Sequence, residues 1–208
     1  MSRSLPPEPE FGAPLPVPPK SEAALNLLAL RRSASAPRLQ APGPDTEVLD
    51  DLLRLATRVP DHGKLTPWRF IVLEGAGKAE FATALEALAD KGPEPERLKA
   101  ALLKLKAPPL SVVVVSRAAE GKIPVWEQQL SAGAVCMSLL IAAQAMGYGA
   151  NWITDWYAYD AAATALLGLQ PGERVAGYVH LGTPAEPPAE RMRPDIAAIT
   201  TRWTPASA

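Results

Sequence analysis

The sequence predicts one domain of mixed helices and strands behind a proline-rich N-terminal tail. Three observations carry this expectation. Helix-periodic stretches alternate with short β-branched runs, in the order α, α, β, α, α, β, α, β, α, β, followed by an irregular C-terminal arm. The chain has 208 residues, enough for one ordinary domain with a sizeable core. Its 23 prolines, roughly twice average usage, are concentrated at the ends.

Residues 1–20 hold seven of those prolines and almost no spaced apolar residues, so they are expected to be a disordered tail with no packing duty, and residues 21–208 to be the folded domain. SEAALNLLALRR then reads as a helix N-capped by Ser21, with Leu25, Leu28 and Ala29 on its apolar face and two arginines at its C-terminal end. A second helix starts at Asp45 or Thr46, presents Val48, Leu49, Leu52, Leu53 and Leu55 and is stopped by Pro60. After the loop PDHGKLTP, residues 69–74 read as a buried strand. Helices are expected over 78–90 and 95–106, separated by KGPEP. SVVVVSR is the strongest strand signal, because four successive valines stiffen an extended backbone and need burial on both faces. A helix over 125–146 is rich in small residues, which allow close approach, so it belongs at the centre of the molecule or at a subunit contact. GYGANWIT is a further strand, DAAATALLGL a helix N-capped by Asp160, and ERVAGYVHLGTP the last strand.

Composition excludes several functions. Twenty-one Lys and Arg against 22 Asp and Glu leave no basic excess to neutralise a nucleic-acid backbone. One cysteine, Cys136, and two histidines cannot assemble a Cys/His metal cage. The longest apolar stretch, residues 132–146, is interrupted by Ser138 and Gln144 and is shorter than the ~20 residues a bilayer span needs. No secretory or transit signal is recognisable, and a cytoplasmic protein without membrane contact is expected. The serine-hydrolase elbow, Walker loop, HExxH and GxGxxG patterns are all missing, and a missing set of side-chain catalysts points to chemistry done by a bound organic cofactor.

The residues available for such a site are scattered. RRSAS at 31–35 sets two guanidiniums and two hydroxyls at a helix end, either a phosphate grip or a solvated terminus. PDHGKLTPW at 60–68 is either a polar loop that lays backbone N–H groups beside a planar ligand or a structural loop closed by Trp68. His62 reads as a ligand contact or a cap, His180 as a core or dimer-contact residue, and Cys136 as an inert packed thiol. Glu127, beside Trp126, reads as a buried acid or, by preference, a surface partner for a Lys or Arg. Arg191 and Arg193 share one side of an extended arm, as a second phosphate clamp or a solvated edge.

Four segments in order, LLALRRSAS, RVPDHGKLTPWRFIVLEG, IPVWEQQLSAGAVCMSLLIAAQAMGYGANWIT and VAGYVHLGTPAEPP, resemble the FMN-dependent nitroreductase family, most closely its minimal, YdjA-like single-domain members, over about residues 22–204. The resemblance implies an α+β fold, a three-layer α-β-α sandwich around a mixed, mainly antiparallel sheet, forming an interlocked homodimer with FMN at the subunit interface. It implies that Arg31, Arg32 and Ser33, with Ser35 adjacent, contact the phosphate and ribityl chain. The loop Val59, Pro60, Asp61, His62, Gly63, Lys64 and Leu65 would approach the flavin from the other subunit, and Ile153, Thr154 and Asp155 would line its ring. Arg191 and Arg193 are similar to a C-terminal basic pair that meets the phosphate in larger relatives.

The activity implied is ping-pong transfer of hydride from NADH or NADPH to flavin N5 and then to a nitroaromatic, a quinone or a similar planar acceptor, with no side chain acting as nucleophile. Familiar family residues are replaced here by Ser35, Asp61, Lys64 and Thr66, and Lys64 is the candidate to stabilise charge on the reduced ring. These replacements also motivate a second reading, a flavin-binding or redox-sensing protein without turnover; dehalogenation or desaturation on the same fold is a third.

Overall fold

The computed structural model describes residues 5–205. Residues 5–20 contain no helix or strand. They nevertheless touch the domain: Arg54 Nη2 donates to the Pro6 carbonyl at 2.9 Å, and Lys64 Nζ lies 5.7 Å from the centroid of the Phe11 ring.

Helix α1 (Glu22–Leu30) begins where Ser21 Oγ accepts from the Ala24 N–H. It ends at Leu30 because Arg31 is extended, so the two arginines follow the helix and do not sit in its last turn. None of its residues is buried, and Leu25, Leu28 and Leu30 are 52, 54 and 73% exposed. A 3-10 turn (Ala36–Arg38) then leads into β1 (Leu39–Gln40), which periodicity does not signal. In α2 (Thr46–Ala56) the Asp45 carboxylate caps the Val48 N–H, and Leu49, Leu52 and Ala56 are buried. This helix closes at Thr57, before Pro60 is reached.

Strand β2 (Trp68–Glu74) is an edge strand, paired among the described residues only with β3 (Leu110–Ser116); the run expected to be buried is half-exposed and Val72 faces solvent. Between them lie α3 (Gly75–Ala89), α4 (Pro95–Ala101) and α5 (Leu103–Lys106); the single helix expected over 95–106 breaks at Leu102, whose side chain is fully buried. The long α6 (Val125–Ala145), β4 (Gly149–Ile153) and β5 (Arg174–Pro184) follow as expected, and α7 (Ala161–Leu166) is capped by Asp160 as expected but stops short of Gly168, whose φ is positive. Residues 185–205 are an exposed arm with one 3-10 turn (Ala197–Ile199).

The strands lie side by side in the order β2-β3-β5-β4, with β1 on the far end of β5, and every pairing among the described residues is antiparallel. Side chains alternate across the sheet. Leu110, Val112, Val114, Val179 and Leu181 pack with α2 and α6, whereas Val113, Val115 and Tyr178 pack with α3, α5 and Tyr157. The result is three layers. β3 is buried from end to end, and each of its valines contributes about 1.5–3 kcal/mol by leaving water. β4 is locked to β5 by the indole of Trp152, which lies over Gly177 so closely that a Cβ there would overlap Nε1. The same Nε1 donates to the Ala176 carbonyl at 3.2 Å.

Candidate functional site

The segment after α1 is fixed by main-chain bonds. The Ala34 N–H donates to the Ala150 carbonyl of β4 at 3.0 Å, Asn151 Nδ2 donates to the Ala34 carbonyl, and Gln144 Nε2, from the last turn of α6, donates to the Arg32 carbonyl. With its backbone held this way, the loop and the C-terminal arm enclose a cleft of about 710 Å³ lined by Arg32, Ser33, Ser35, Arg38, Asn151 and Glu190. Arg32 Nε donates to the Ala189 carbonyl at 2.8 Å and lies 3.8 Å from Glu190 Oε1. Arg193 approaches the same oxygen at 3.0 Å, and Arg38 lies 3.6 Å from Glu186. The backbone N–H of Arg191 and the guanidiniums of Arg193 and Arg32 hold the Glu190 carboxyl below its usual range. Arg31 has no ion pair or side-chain hydrogen bond among the described residues. Two buried acceptors beside the loop, Gln144 Oε1 and Asn151 Oδ1, also lack partners.

The second loop is held by different means. Ser131 Oγ, in the first half of α6, donates to the Pro60 carbonyl at 2.7 Å and accepts from Trp68 Nε1 at 3.2 Å. Asp61 accepts from the Leu65 and Thr66 N–H groups at 3.1 and 2.8 Å. These bonds hold a tight turn in which Gly63, Lys64 and Thr66 all have positive φ, a conformation costing about 1–2 kcal/mol at each residue with a side chain. Val59 packs against the core, and His62 Nδ1 lies 2.7 Å from Glu127 Oε2. The partner of Glu127 is therefore this histidine, not the lysine or arginine expected. Gln128 accepts from the Ala119 N–H and donates to the Ala119 and Ile123 carbonyls, closing a smaller cleft of about 390 Å³ that Leu65, Thr66 and Arg117 line. At the strand ends nearby, Glu173 binds Arg69 Nε and Nη2 at 2.8 and 2.7 Å, with Arg117 at 3.7 Å. The Arg69 hydrogen bonds, then the Gln170 N–H and the two positive charges, hold its pKa down to about 2.

The expected site residues thus fall into separate groups. Ser131 and Gln144, which anchor the two loops, are 13 residues apart on one helix, a separation of about 20 Å along its axis. Ile153, Thr154 and Asp155 form a third group at the end of β4. Here Asp155 accepts from the Trp156 N–H and from Lys104 Nζ, and Thr154 Oγ1 accepts from the Tyr159 hydroxyl, so both polar side chains are engaged within the chain. Of the C-terminal pair, Arg193 reaches the arginine cleft through Glu190, while Arg191 contributes its backbone N–H.

His180 is a core residue, fully buried, with Nδ1 2.8 Å from Ser111 Oγ; burial, then the charge of Lys78, lowers its pKa to about 3. Cys136 is fully buried, and burial pushes its thiol up to about 12. Sequence reading missed Arg38, Gln144, Asn151, Glu186 and Glu190. Gln144 carried a usable signal, the one amide in the small and apolar stretch of α6 from Ala132 to Ala145. The others are ordinary polar residues whose role depends on tertiary neighbours. Among the described residues no group of three His, Cys, Asp or Glu could hold a metal ion, and no helix is long and apolar enough to cross a membrane.

The chain has relatives among known proteins, and its fold recurs among solved structures. "Putative NAD(P)H nitroreductase YdjA" of Escherichia coli K12 is 37% identical over 163 residues, covering 77% of this chain and 88% of the relative. Among solved structures, a nitroreductase-like family protein from Bacillus cereus matches with a TM-score of 0.76 at 22% identity over 90% of this chain and 99% of that one. A nitroreductase with bound FMN from Bacteroides fragilis matches with a TM-score of 0.66 at 18% identity, over 88% and 100% of the two chains. The model of the nitroreductase family matches residues 30–183, from the last residue of α1 to the penultimate residue of β5, and together with the three-layer fold this places the chain in the nitroreductase family.

Proposed function

We propose that the protein is an FMN-dependent NAD(P)H oxidoreductase that reduces planar electron acceptors such as nitroaromatics or quinones. The observation that carries this is the separation of two loops at opposite ends of α6, one rich in guanidiniums and hydroxyls, the other a rigid polar turn. A flavin nucleotide needs both a phosphate seat and a surface beside its ring. The donor set fits it: Arg31, which has no partner among the described residues, with Arg32, Arg193, Ser33 and Ser35 suits a phosphate, and the acceptors of Gln144 and Asn151, likewise unpartnered there, suit the hydroxyls of a ribityl chain. The name of the E. coli relative and the FMN of the B. fragilis structure support the same assignment.

Bound flavin would supply the hydride acceptor and donor, which side chains cannot. The chain's own groups then have limited tasks. The arginine loop binds and orients, with its backbone fixed by Ala150, Asn151 and Gln144. The turn at 61–66 presents backbone and the Lys64 ammonium in a conformation that Asp61 maintains, so charge can be met without reorganisation.

Because one chain keeps the two loops apart, the complete site takes one loop from each of two copies. Helix α1, with its leucines exposed, and the outward residues Trp126 and Leu130 of α6 (67 and 53% exposed) supply the apolar surface of that homodimer. We assign the protein to the cytoplasm, without nucleic-acid or membrane partners.

The test is an absorbance spectrum of the purified protein before and after anaerobic NADH and then NADPH, with light scattering on the same sample. Peaks near ~370 and ~450 nm that bleach on a particle of twice the 22.1 kDa chain mass are expected. Flavin that fails to bleach replaces the enzyme by a flavin-binding or redox-sensing protein, and absence of flavin after reconstitution overturns the cofactor assignment.

A further inference from the structure

We propose that Glu190 sets the affinity and selectivity of the phosphate seat, acting as an internal anion that an incoming phosphate must displace from Arg32 and Arg193. The inference rests on the flavin-nucleotide reading above and adds a residue to it. Glu190 Oε1 stands between two guanidiniums from opposite ends of the chain, 3.8 Å from Arg32 Nε and 3.0 Å from Arg193 Nη2. It lines the 710 Å³ cleft beside Ser33 and Ser35. The Glu190 carboxylate, hydrogen-bonded to Arg193 and ion-paired with Arg32, thus meets positive charge that a phosphate would meet in its place. Both anions cannot hold one arginine pair at this spacing, because each raises the cost of ionising the other.

The carboxylate is well placed to leave. Its side chain is 60% exposed, and it belongs to an arm held to the loop by few contacts: the Arg32 bond to Ala189, the Arg38 pair with Glu186 and the Ala185 N–H bond to the Arg38 carbonyl. Weak monoanions, which gain less from two guanidiniums than a dianion does, compete poorly against an anion tethered within the same chain. The seat is thereby reserved for a phosphate monoester, and the arm 186–190 is released from the loop as the ligand enters.

The experiment compares FMN with riboflavin, which lacks the phosphate, by flavin fluorescence titration of the full-length apoprotein and its Glu190→Gln and Glu190→Asp variants. Glutamine keeps an acceptor for the Arg191 N–H and removes only the charge. Glu190→Gln is expected to tighten FMN about 3- to 5-fold, in keeping with an exposed charge pair, while riboflavin stays within twofold of wild type. Glu190→Asp is expected to stay near wild type for both. Unchanged or weaker FMN binding in Glu190→Gln, or an equal change for both flavins, overturns the inference. Failure of every form to bind either flavin instead overturns the cofactor assignment on which it rests.

Discussion

The two ends of α6 hold their loops by opposite strategies. At the Ser131 end the turn is satisfied by its own chain: Asp61 caps two N–H groups, Ser131 bridges Pro60 and Trp68, Gln128 closes the neighbouring loop, and Glu173 clamps Arg69 and Arg117. At the Gln144 end the backbone is fixed but the side chains are not satisfied. Among the described residues Arg31 has no partner, two buried acceptors are idle, and the remaining arginines rest on an exposed arm. One end is saturated by the chain's own groups, and the other leaves donors and acceptors open to the flavin nucleotide proposed above. The difference separates what a mutation does to folding from what it does to binding.

The largest effect expected from this contrast is on ligand retention. Arg31→Ala should weaken FMN binding by about 1.5–3 kcal/mol, tenfold or more, by removing a charge-assisted phosphate contact, while leaving the urea unfolding of the apoprotein unchanged. Equal losses in both measurements would break the contrast. Asp61→Ala should do the reverse, lowering apoprotein stability in urea by about 1–3 kcal/mol because two N–H groups lose their acceptor while Lys64 and Thr66 keep their positive φ. A variant as stable as wild type would show that the turn does not depend on this carboxylate.

The smallest effect is a pH dependence. Glu173 is held at about 2 against 4.5 for the free group, so its contribution is fully present above 4.5 and is lost as pH falls through 2. His180, lowered from 6.5 to about 3, contributes in the same direction over the window from 6.5 to 3. Glu173→Gln should therefore flatten the stability profile below pH 4.5 and leave the His180 slope between 6.5 and 4.5 intact. An unaltered profile below 4.5 would remove the Glu173 clamp from the description of this end.

Sequence reading recovered what depends on local physics. The valines of β3, the caps Ser21, Asp45 and Asp160 and the length of α6 follow from periodicity and from side chains that satisfy helix ends. It failed where tertiary neighbours decide. β1 is two residues that extend because β5 is there to pair with them. Among the described residues, Leu25, Leu28 and Leu30 of the first helix stay exposed, and β2 is half-exposed with no strand paired beyond it. For the site, RRSAS and the turn at 60–66 stood out by residue type, and the resemblance supplied their roles. Glu190 did not, because an acid in a proline-rich arm is unremarkable until Arg32 and Arg193 are placed beside it.

The helix joining the two ends also constrains how the gene can vary. Each residue inserted or deleted between Ser131 and Gln144 would shift one anchor about 1.5 Å and swing it about 100° around the axis relative to the other. Both loops would then lose their register, whatever residue was added. Length variation among natural relatives should be rare in this stretch and collect in the breaker segment between α3 and α4, which carries no anchor.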